Sequence, residues 1–540
     1  MTTSLEEFDY VIVGAGSAGC VLANRLSADK SNKVLLIESG KSDNYFWIPI
    51  PVGYLYTIGN PRTDWCYQTE QDKGLNNRSI GYARGKVMGG CTSINAMIYM
   101  RGQTEDYQEW VKEGSDGWSW NECLPYFMKM EDYENGSSEF HNTGGELPVQ
   151  EKRVSWKILD LFRDAAEENG IPKIEEFNTG NNFGSSYFQM NQRNGVRWNA
   201  VRCFLWPIKN RKNLTIYKET TVAKINYSKK NNQNHVESIS VINNNLLRKI
   251  KVKKELILSA GAIGSPQILQ ISGIGDHDVL DKIGIQTNVN LPMVGKNLHD
   301  HLQLRIQYKV KNVITLNDLM QSNFEKVKMA LQYFIFKKGP MTMPPSQLGV
   351  FAKSDPNEDR ANIEWHVQPL SLDKFGEPLH EFSAITPSVT NIRPTSRGSV
   401  FIKNDDIFEH PKIKLNYLST EYDAKVAIDS IKMTRKIMSA NCLKDYYPEE
   451  FNPGKQIQSD EDLFEAAKEI GTTIFHPVGT CKMGRLKETS VVNSKLMVHE
   501  FSNLRVVDAS VMPKITSGNT NAPTMMIAER ASEFILKGIS

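Results

Sequence analysis

The stretch from Phe8 to Gly40, FDYVIVGAGSAGCVLANRLSADKSNKVLLIESG, constrains this chain more than any other. It reads in order as strand, tight glycine turn, helix and strand. Tyr10 to Val13 is a short β-branched run of the kind that forms a strand buried on both faces. Gly14, Gly16 and Gly19 then make G-x-G-x-x-G. The first glycine permits the turn, the second lets a pyrophosphate approach the backbone, and the third lets helix pack closely on strand. Ser17 and Ala18 fill the turn, and Val21, Leu22 and Leu26 follow at helical spacing. A phosphate would therefore meet free N–H groups at a helix N-terminus. Lys33 to Ile37 is the next strand, and it ends in Glu38. That acid lies about 20 positions past Gly19, where a carboxylate hydrogen-bonds a ribose hydroxyl. The pattern implies a dinucleotide with an unphosphorylated ribose, either FAD or NAD, with a nucleotide-free βαβ unit as the alternative.

A chain of 540 residues is too long for one simple core, so two domains are expected. With 40% hydrophobic and 23% charged residues the composition is that of a folded protein. A net charge of +2 gives no reason to expect a nucleic-acid partner. No run reaches the ~18 apolar residues that a membrane-spanning helix needs. The opening MTTSLEEFDY carries acids and no apolar run, so no secretory signal is expected. The seven cysteines are scattered without a C-x-x-C, as for reduced thiols in a cytoplasmic protein.

Beyond Gly40 the alternation of strand and helix stops. Residues 41–80 are rich in aromatics and turn formers and read as an excursion over the nucleotide. In residues 81–102, GYARGKVMGGCTSINAMIYMRG, the glycines around Val87, Gly89 and Gly90 make a flexible basic loop. Its backbone N–H groups suit a second part of a large cofactor, or it is a plain connecting loop. Segments Asn213 to Ile225 and Glu237 to Leu258 alternate as antiparallel strands do. Residues 301–465 read as a mostly antiparallel sheet with helices, a substrate domain. Within them KVKMALQYFIFKK is a basic amphipathic helix, read as a packed helix with solvated lysines, the alternative being peripheral contact with a membrane surface. The tail returns to α/β with a strand over Asn503 to Val507 and a helix over Pro523 to Leu536.

Two tail segments carry candidate chemistry. In FHPVGTCKMG, Pro477 drives His476 away from helical backbone, and small residues leave room around the ring. In SGNTNAP, Asn519 lies just before the last helix. An imidazole accepts a proton at neutral pH, and an amide can fix a hydroxyl without competing for that proton. Together they suit oxidation of an alcohol, although an isolated histidine is also often structural. His299-Asp300-His301 looks at first like a metal cluster, but no further ligand set accompanies it, so no metal is expected.

Over essentially the full chain these residues resemble the glucose–methanol–choline (GMC) oxidoreductases, and most closely their choline dehydrogenase and bacterial alcohol dehydrogenase branch. The resemblance rests on VIVGAGSAGCVLANRLS with VLLIESG, on GKVMGGCTSINAMIYMRG, on GAIGSPQILQISGIG and on VGKNLHDH. It rests also on HPVGTCKMG and on VVDASVMP with GNTNAPTMMIAER. It implies an α/β fold with a Rossmann-type FAD-binding domain and a second, α+β substrate domain on a mostly antiparallel sheet. The FAD-binding domain would take residues 1–155, 211–300 and 466–540, and the substrate domain 156–210 and 301–465. His476 falls on the family's catalytic base and Asn519 on its partner. Asn95, Ala96, Met97 and Ile98 fall where backbone lines the flavin, and Asp508, Ala509, Thr520 and Asn521 where the tail contacts it. Val222 falls where a backbone group meets adenine.

Two departures matter. Ile94 occupies the position of a histidine that links FAD covalently in some members, so the expected FAD is non-covalent. Choline-oxidising members offer a carboxylate to the trimethylammonium group, and here Gln347 is aligned with it, which favours a neutral primary alcohol over choline. His366 falls on a substrate-side histidine, and Ile474 is expected beside it. The resemblance leaves the acceptor open: a quinone, an artificial acceptor or O₂. It also leaves a flavin-containing hydroxynitrile lyase as a more distant alternative.

Overall fold

The computed structural model describes residues 5–374 and 376–539. Two sheets organise them. The first is seven-stranded and grows around Glu6–Val13, whose apolar run pairs in parallel with Val34–Ile37 on one side and Leu246–Leu258 on the other. Leu246–Leu258 is long enough to serve two ends of the sheet. Its first half joins an antiparallel meander with Gln233–Asn243 and Thr220–Lys230, and its last three residues pair in parallel with Leu504–Val506. The tail is thereby stitched into the sheet that opens the chain. The helix Ser17–Leu26 is packed on by the last helix, Asn521–Leu536, through Arg25, which pairs with Glu529 at 2.8 Å.

The second sheet is eight-stranded and antiparallel. Its path runs Glu449–Asn452, Gln307–Lys309, Ala384–Asn391, Ile363–Gln368, Leu348–Ala352 and Gly184–Tyr187. Leu302–Arg305 pairs with both Ala384–Asn391 and Gly471–Thr473. Each sheet has its own large buried apolar cluster.

Four local expectations change. Leu214–Tyr217 is parallel, not antiparallel: it adds to the free edge of Val34–Ile37, and its partner decides its direction. The region 171–206, whose turn-forming residues read as loop, contains Gly184–Tyr187 and a helical turn over Val201–Leu205. Gly471–Thr473 lies in the second sheet although it falls within the segment expected for the first. The basic helix runs Asn323–Phe336, and only Met329 and Tyr333 of it are buried.

Candidate active site

Between the two sheets lies a cavity of about 790 Å³. One end is walled by the opening turn: Gly14, Gly16, Ser17, Ala18 and Glu38 line it. Backbones distant in sequence come very close here. A Cβ on Gly14 (φ +103°) would lie 2.4 Å from the Ser259 carbonyl oxygen, and one on Gly90 (φ +52°) 2.8 Å from the Gly16 Cα. Only glycine fits either position. Gly19 stands behind the wall, where a Cβ would meet the Gly14 carbonyl oxygen at 1.8 Å. The Glu38 carboxylate accepts from the Ala15 N–H at 3.0 Å and the Gly40 N–H at 2.8 Å. Burial nevertheless pushes it up to about 7, against those two donors and Lys86. Val222 lines the same end.

Further along, Asn95, Ala96, Met97 and Ile98 line the cavity, with Met97 held at φ +63°. Asp508, Ala509, Thr520 and Asn521 face them from the tail, and Ser17 Oγ donates to Asn521 Oδ1 at 2.8 Å. Asp508 accepts from the Gly261 N–H at 2.9 Å and from Ser265 Oγ at 2.6 Å. Burial raises its carboxyl despite those bonds. Val87 and Gly89, expected on the cofactor, are outside the lining. Val87 packs with Ile48 and Ile94, and the Gly89 N–H donates to the Ala15 carbonyl at 2.8 Å, so both brace the turn from behind.

At the other end His476 and Asn519 meet, and Ile474 and His366 line the same space. Phe475 at φ +65° turns the chain immediately before His476. Asp300 anchors that turn: its carboxylate accepts from the His476 N–H at 2.7 Å and from Thr473 Oγ1 at 2.6 Å, and Tyr417 donates to it as well. His301 Nε2 lies 3.2 Å from the Ile392 carbonyl, and its Nδ1 lies 3.0 Å from His476 Nδ1. Asn519 Nδ2 lies 3.1 Å from His476 Nε2. The directions of these bonds follow from one another. A carbonyl only accepts, so His301 carries its proton on Nε2 and presents a bare Nδ1. His476 must then donate from Nδ1, which leaves its Nε2 bare towards Asn519 and the cavity. Burial holds His301 down at about 3, and burial, with the Arg84 guanidinium nearby, holds His476 well below the ordinary imidazole range. Both rings are neutral at pH 7. The Asn519 carbonyl oxygen is buried with no protein partner.

Asp300 and His301 are residues whose roles sequence reasoning missed. They stand inside the HDH run that resembled a metal cluster, and among the described residues no group of three metal-ligating side chains occurs. The His299 ring turns elsewhere, accepting from the Ile515 N–H at 3.2 Å. Gln347 also lies apart from the cavity lining: its backbone carbonyl accepts from the Phe188 N–H at 2.9 Å, and its side-chain Oε1 is buried without a partner. Gln303 and Arg305 line the cavity in its stead. Arg305, Ser388 and His366 stand opposite one another across three antiparallel strands, so they share one face of the sheet. Arg305 Nε and Nη2 have no hydrogen-bond partner, and burial lowers the guanidinium. His366 Nε2 pairs with Glu364 Oε1 at 2.8 Å.

A nucleotide turn at one end of a cavity and an imidazole–amide pair at the other suit a dinucleotide-dependent oxidoreductase acting on CH–OH groups. The chain belongs to the GMC oxidoreductases: the N-terminal model of that family matches residues 8–303 and the C-terminal model residues 394–528. It is 38% identical to an oxygen-dependent choline dehydrogenase of Staphylococcus xylosus, over 98% of this chain and 95% of that one. It is also 38% identical to an alcohol dehydrogenase [acceptor] of Pseudomonas putida, over 98% of this chain and 96% of that one. Among solved structures it resembles pyridoxine 4-oxidase from Mesorbium loti, 31% identical with a TM-score of 0.88, covering 97% of this chain and 98% of that one. FAD is the cofactor of this family, and the bare glycine walls and buried Glu38 fit it.

Proposed function

We propose that this enzyme oxidises a neutral primary alcohol to the aldehyde, with His476 as the base, and passes the electrons to a quinone. The observation that carries this reading is the polarised chain from the Ile392 carbonyl through His301 to His476 and Asn519. In this reading the sheet around Glu6–Val13 carries FAD and the antiparallel sheet carries the alcohol. FAD, when bound, supplies the acceptor for the carbinol hydride at its N5. The substrate hydroxyl enters between His476 and Asn519, donating to Nε2 and accepting from the amide. Nε2 takes the hydroxyl proton as the hydride leaves carbon, so the alcohol loses one proton and one hydride. His301 keeps the Nδ1 proton engaged throughout, which prevents the ring from presenting N–H to the substrate.

Ile94 is buried in the cavity wall and offers no atom for a bond to flavin, which supports non-covalent FAD. Arg305 supports an uncharged substrate. A partly buried guanidinium with free donors repels a trimethylammonium group, and Gln303 beside it carries no compensating charge. The choline dehydrogenases among the relatives favour choline as the second reading. All seven cysteines are free, in keeping with a reducing, cytoplasmic compartment. The test is an anaerobic screen of the purified flavoprotein against aliphatic, aromatic and polyol alcohols and choline, read as bleaching of the flavin. His476→Ala should stay yellow and lose reduction by about 10²–10⁴-fold. An unchanged rate removes His476 from the mechanism, and peroxide released in step with turnover under air makes the enzyme an oxidase.

A further inference from the structure

The helix Asn323–Phe336 is apolar on two sides, although only one is used inside the protein. Met329 and Tyr333 fasten it to the body. On the far side Phe324, Val327, Leu331 and Ile335 recur at spacings of three and four, which sets them in one stripe. They are 74, 59, 54 and 64% exposed. Phe334 and Phe336 flank them, also exposed, and Phe46 from the 41–80 excursion extends the patch by stacking on Phe334 at 6.1 Å. A helix on the surface of a globular protein ordinarily turns polar residues to that side. A contiguous patch of this kind marks a site of contact.

Charge identifies the contact. Lys326, Lys328, Lys337 and Lys338 stand on or just after the helix against one acid, Glu325, which pairs with Lys328 at 3.0 Å. The chain as a whole carries only +2, so this positive charge is local. A second copy of the chain would set these lysines against one another across a two-fold contact. An anionic surface complements them. The helix also belongs to the cavity: Lys326 and Met329 line it, and so do the exposed Leu55, Tyr56 and Met320, where it opens to the outside. Among the described residues no helix is long and apolar enough to cross a membrane.

We propose that this helix lies in the interface of an anionic lipid bilayer, with its stripe and Phe46 among the acyl chains and its lysines at the headgroups. Docked so, the cavity opens onto the membrane, and a lipid-soluble quinone or long-chain alcohol reaches His476 without crossing water. The docking stands without the proposed chemistry; only the quinone step rests on it.

The test uses the FAD-loaded full chain and vesicles of phosphatidylcholine, with or without phosphatidylglycerol, in a flotation gradient. Wild type should float with the anionic vesicles and less with the neutral ones, and added salt should weaken the difference. The triple variant Phe324→Ser/Leu331→Ser/Ile335→Ser should bind about 10²- to 10³-fold more weakly, at roughly five- to tenfold per side chain. Its flavin spectrum and its rate with a water-soluble acceptor should be unchanged, which certifies the fold. Wild type that stays at the bottom with both vesicles overturns the proposal, as does a triple variant that floats like wild type. A wild-type dimer that the triple variant splits, without flotation, assigns the patch to a second copy and overturns it too. Flotation without reduction of a vesicle-borne quinone leaves the docking intact and refutes the acceptor.

Discussion

His301→Ala tests the orientation of the base without touching the base itself. In the wild type the Nδ1–H of His476 is satisfied by His301 Nδ1 at 3.0 Å, and Nε2 is free to accept because of it. Removing His301 leaves that N–H buried without an acceptor, at a cost of about 1–3 kcal/mol. Relief is available by moving the proton to Nε2, where it blocks the hydroxyl. Asn519 still favours the original tautomer by donating to Nε2 at 3.1 Å, so the loss should be partial. At 1.36 kcal/mol per decade, flavin reduction should slow by about 10- to 100-fold. The assay is anaerobic stopped-flow reduction by the best alcohol from the screen, with FAD content and visible spectrum checked beforehand. Two further readouts separate positioning from general damage. Burial is the largest cause that lowers His476, and removing the His301 ring lets water reach it, so its pKa should rise in the variant, and the acid limb of the reduction rate should move to higher pH. In addition, His301→Ala/His476→Ala should be no slower than His476→Ala alone, because two residues acting through one base are not additive. Reduction at the wild-type rate, or a full additional loss in the double variant, refutes the tautomer argument.

Three other outcomes follow from the same geometry. Arg305→Gln should raise kcat/KM for choline by about 10-fold or more, since a unit charge at roughly 8 Å in an effective dielectric of ~20 repels by about 2 kcal/mol; no change removes Arg305 from the substrate wall. Acid precipitation should leave FAD in the supernatant, and flavin pelleting with the protein defeats the non-covalent assignment. The stability gap between wild type and His301→Ala should shrink by about 2 kcal/mol from pH 6.5 to pH 5 in urea titrations of the FAD-loaded proteins. The sign follows from His301 being held at about 3 when folded, below its ordinary 6.5. The unfolded chain binds the extra proton, so the contribution is whole above 6.5 and is lost as pH falls towards 3. Glu38, raised to about 7, acts in the opposite direction between 7 and 4.5 but is common to both proteins and cancels.

What could be read from the residues was local, or was carried by motif. The glycine turn and Glu38 lie within one βαβ unit, where spacing alone sets the geometry, and they line the cavity together. His476 and Asn519 carried weak signals by themselves and became specific only through the resemblance. The groups that set the tautomer of His476 were hidden for a physical reason. Asp300 and His301 reach it from a segment far away in sequence, and nothing local distinguishes a buried relay from a metal ligand set. Gln347, aligned by resemblance alone, stands just before the strand Leu348–Ala352 and outside the cavity lining. Gln303 and Arg305 reach the lining because Leu302–Arg305 crosses between Ala384–Asn391 and Gly471–Thr473.

The basic helix shows the opposite case, in which the pattern was visible and its meaning was not. Lysines interleaved with large apolar residues fit a packed helix with solvated lysines as well as a surface helix, because either one needs an apolar face. Deciding between them requires knowing how many residues the body of the protein takes up. Here it takes Met329 and Tyr333, and the remaining apolar side chains have nowhere to go within the chain. An excess of this kind is costly to leave in water at about 25 cal/mol per Å², so a bilayer that covers it gains what the fold left unused. The helix that walls the cavity is therefore also a part of the surface that gains from lipid, and docking there would tie the route of the substrate to the bilayer.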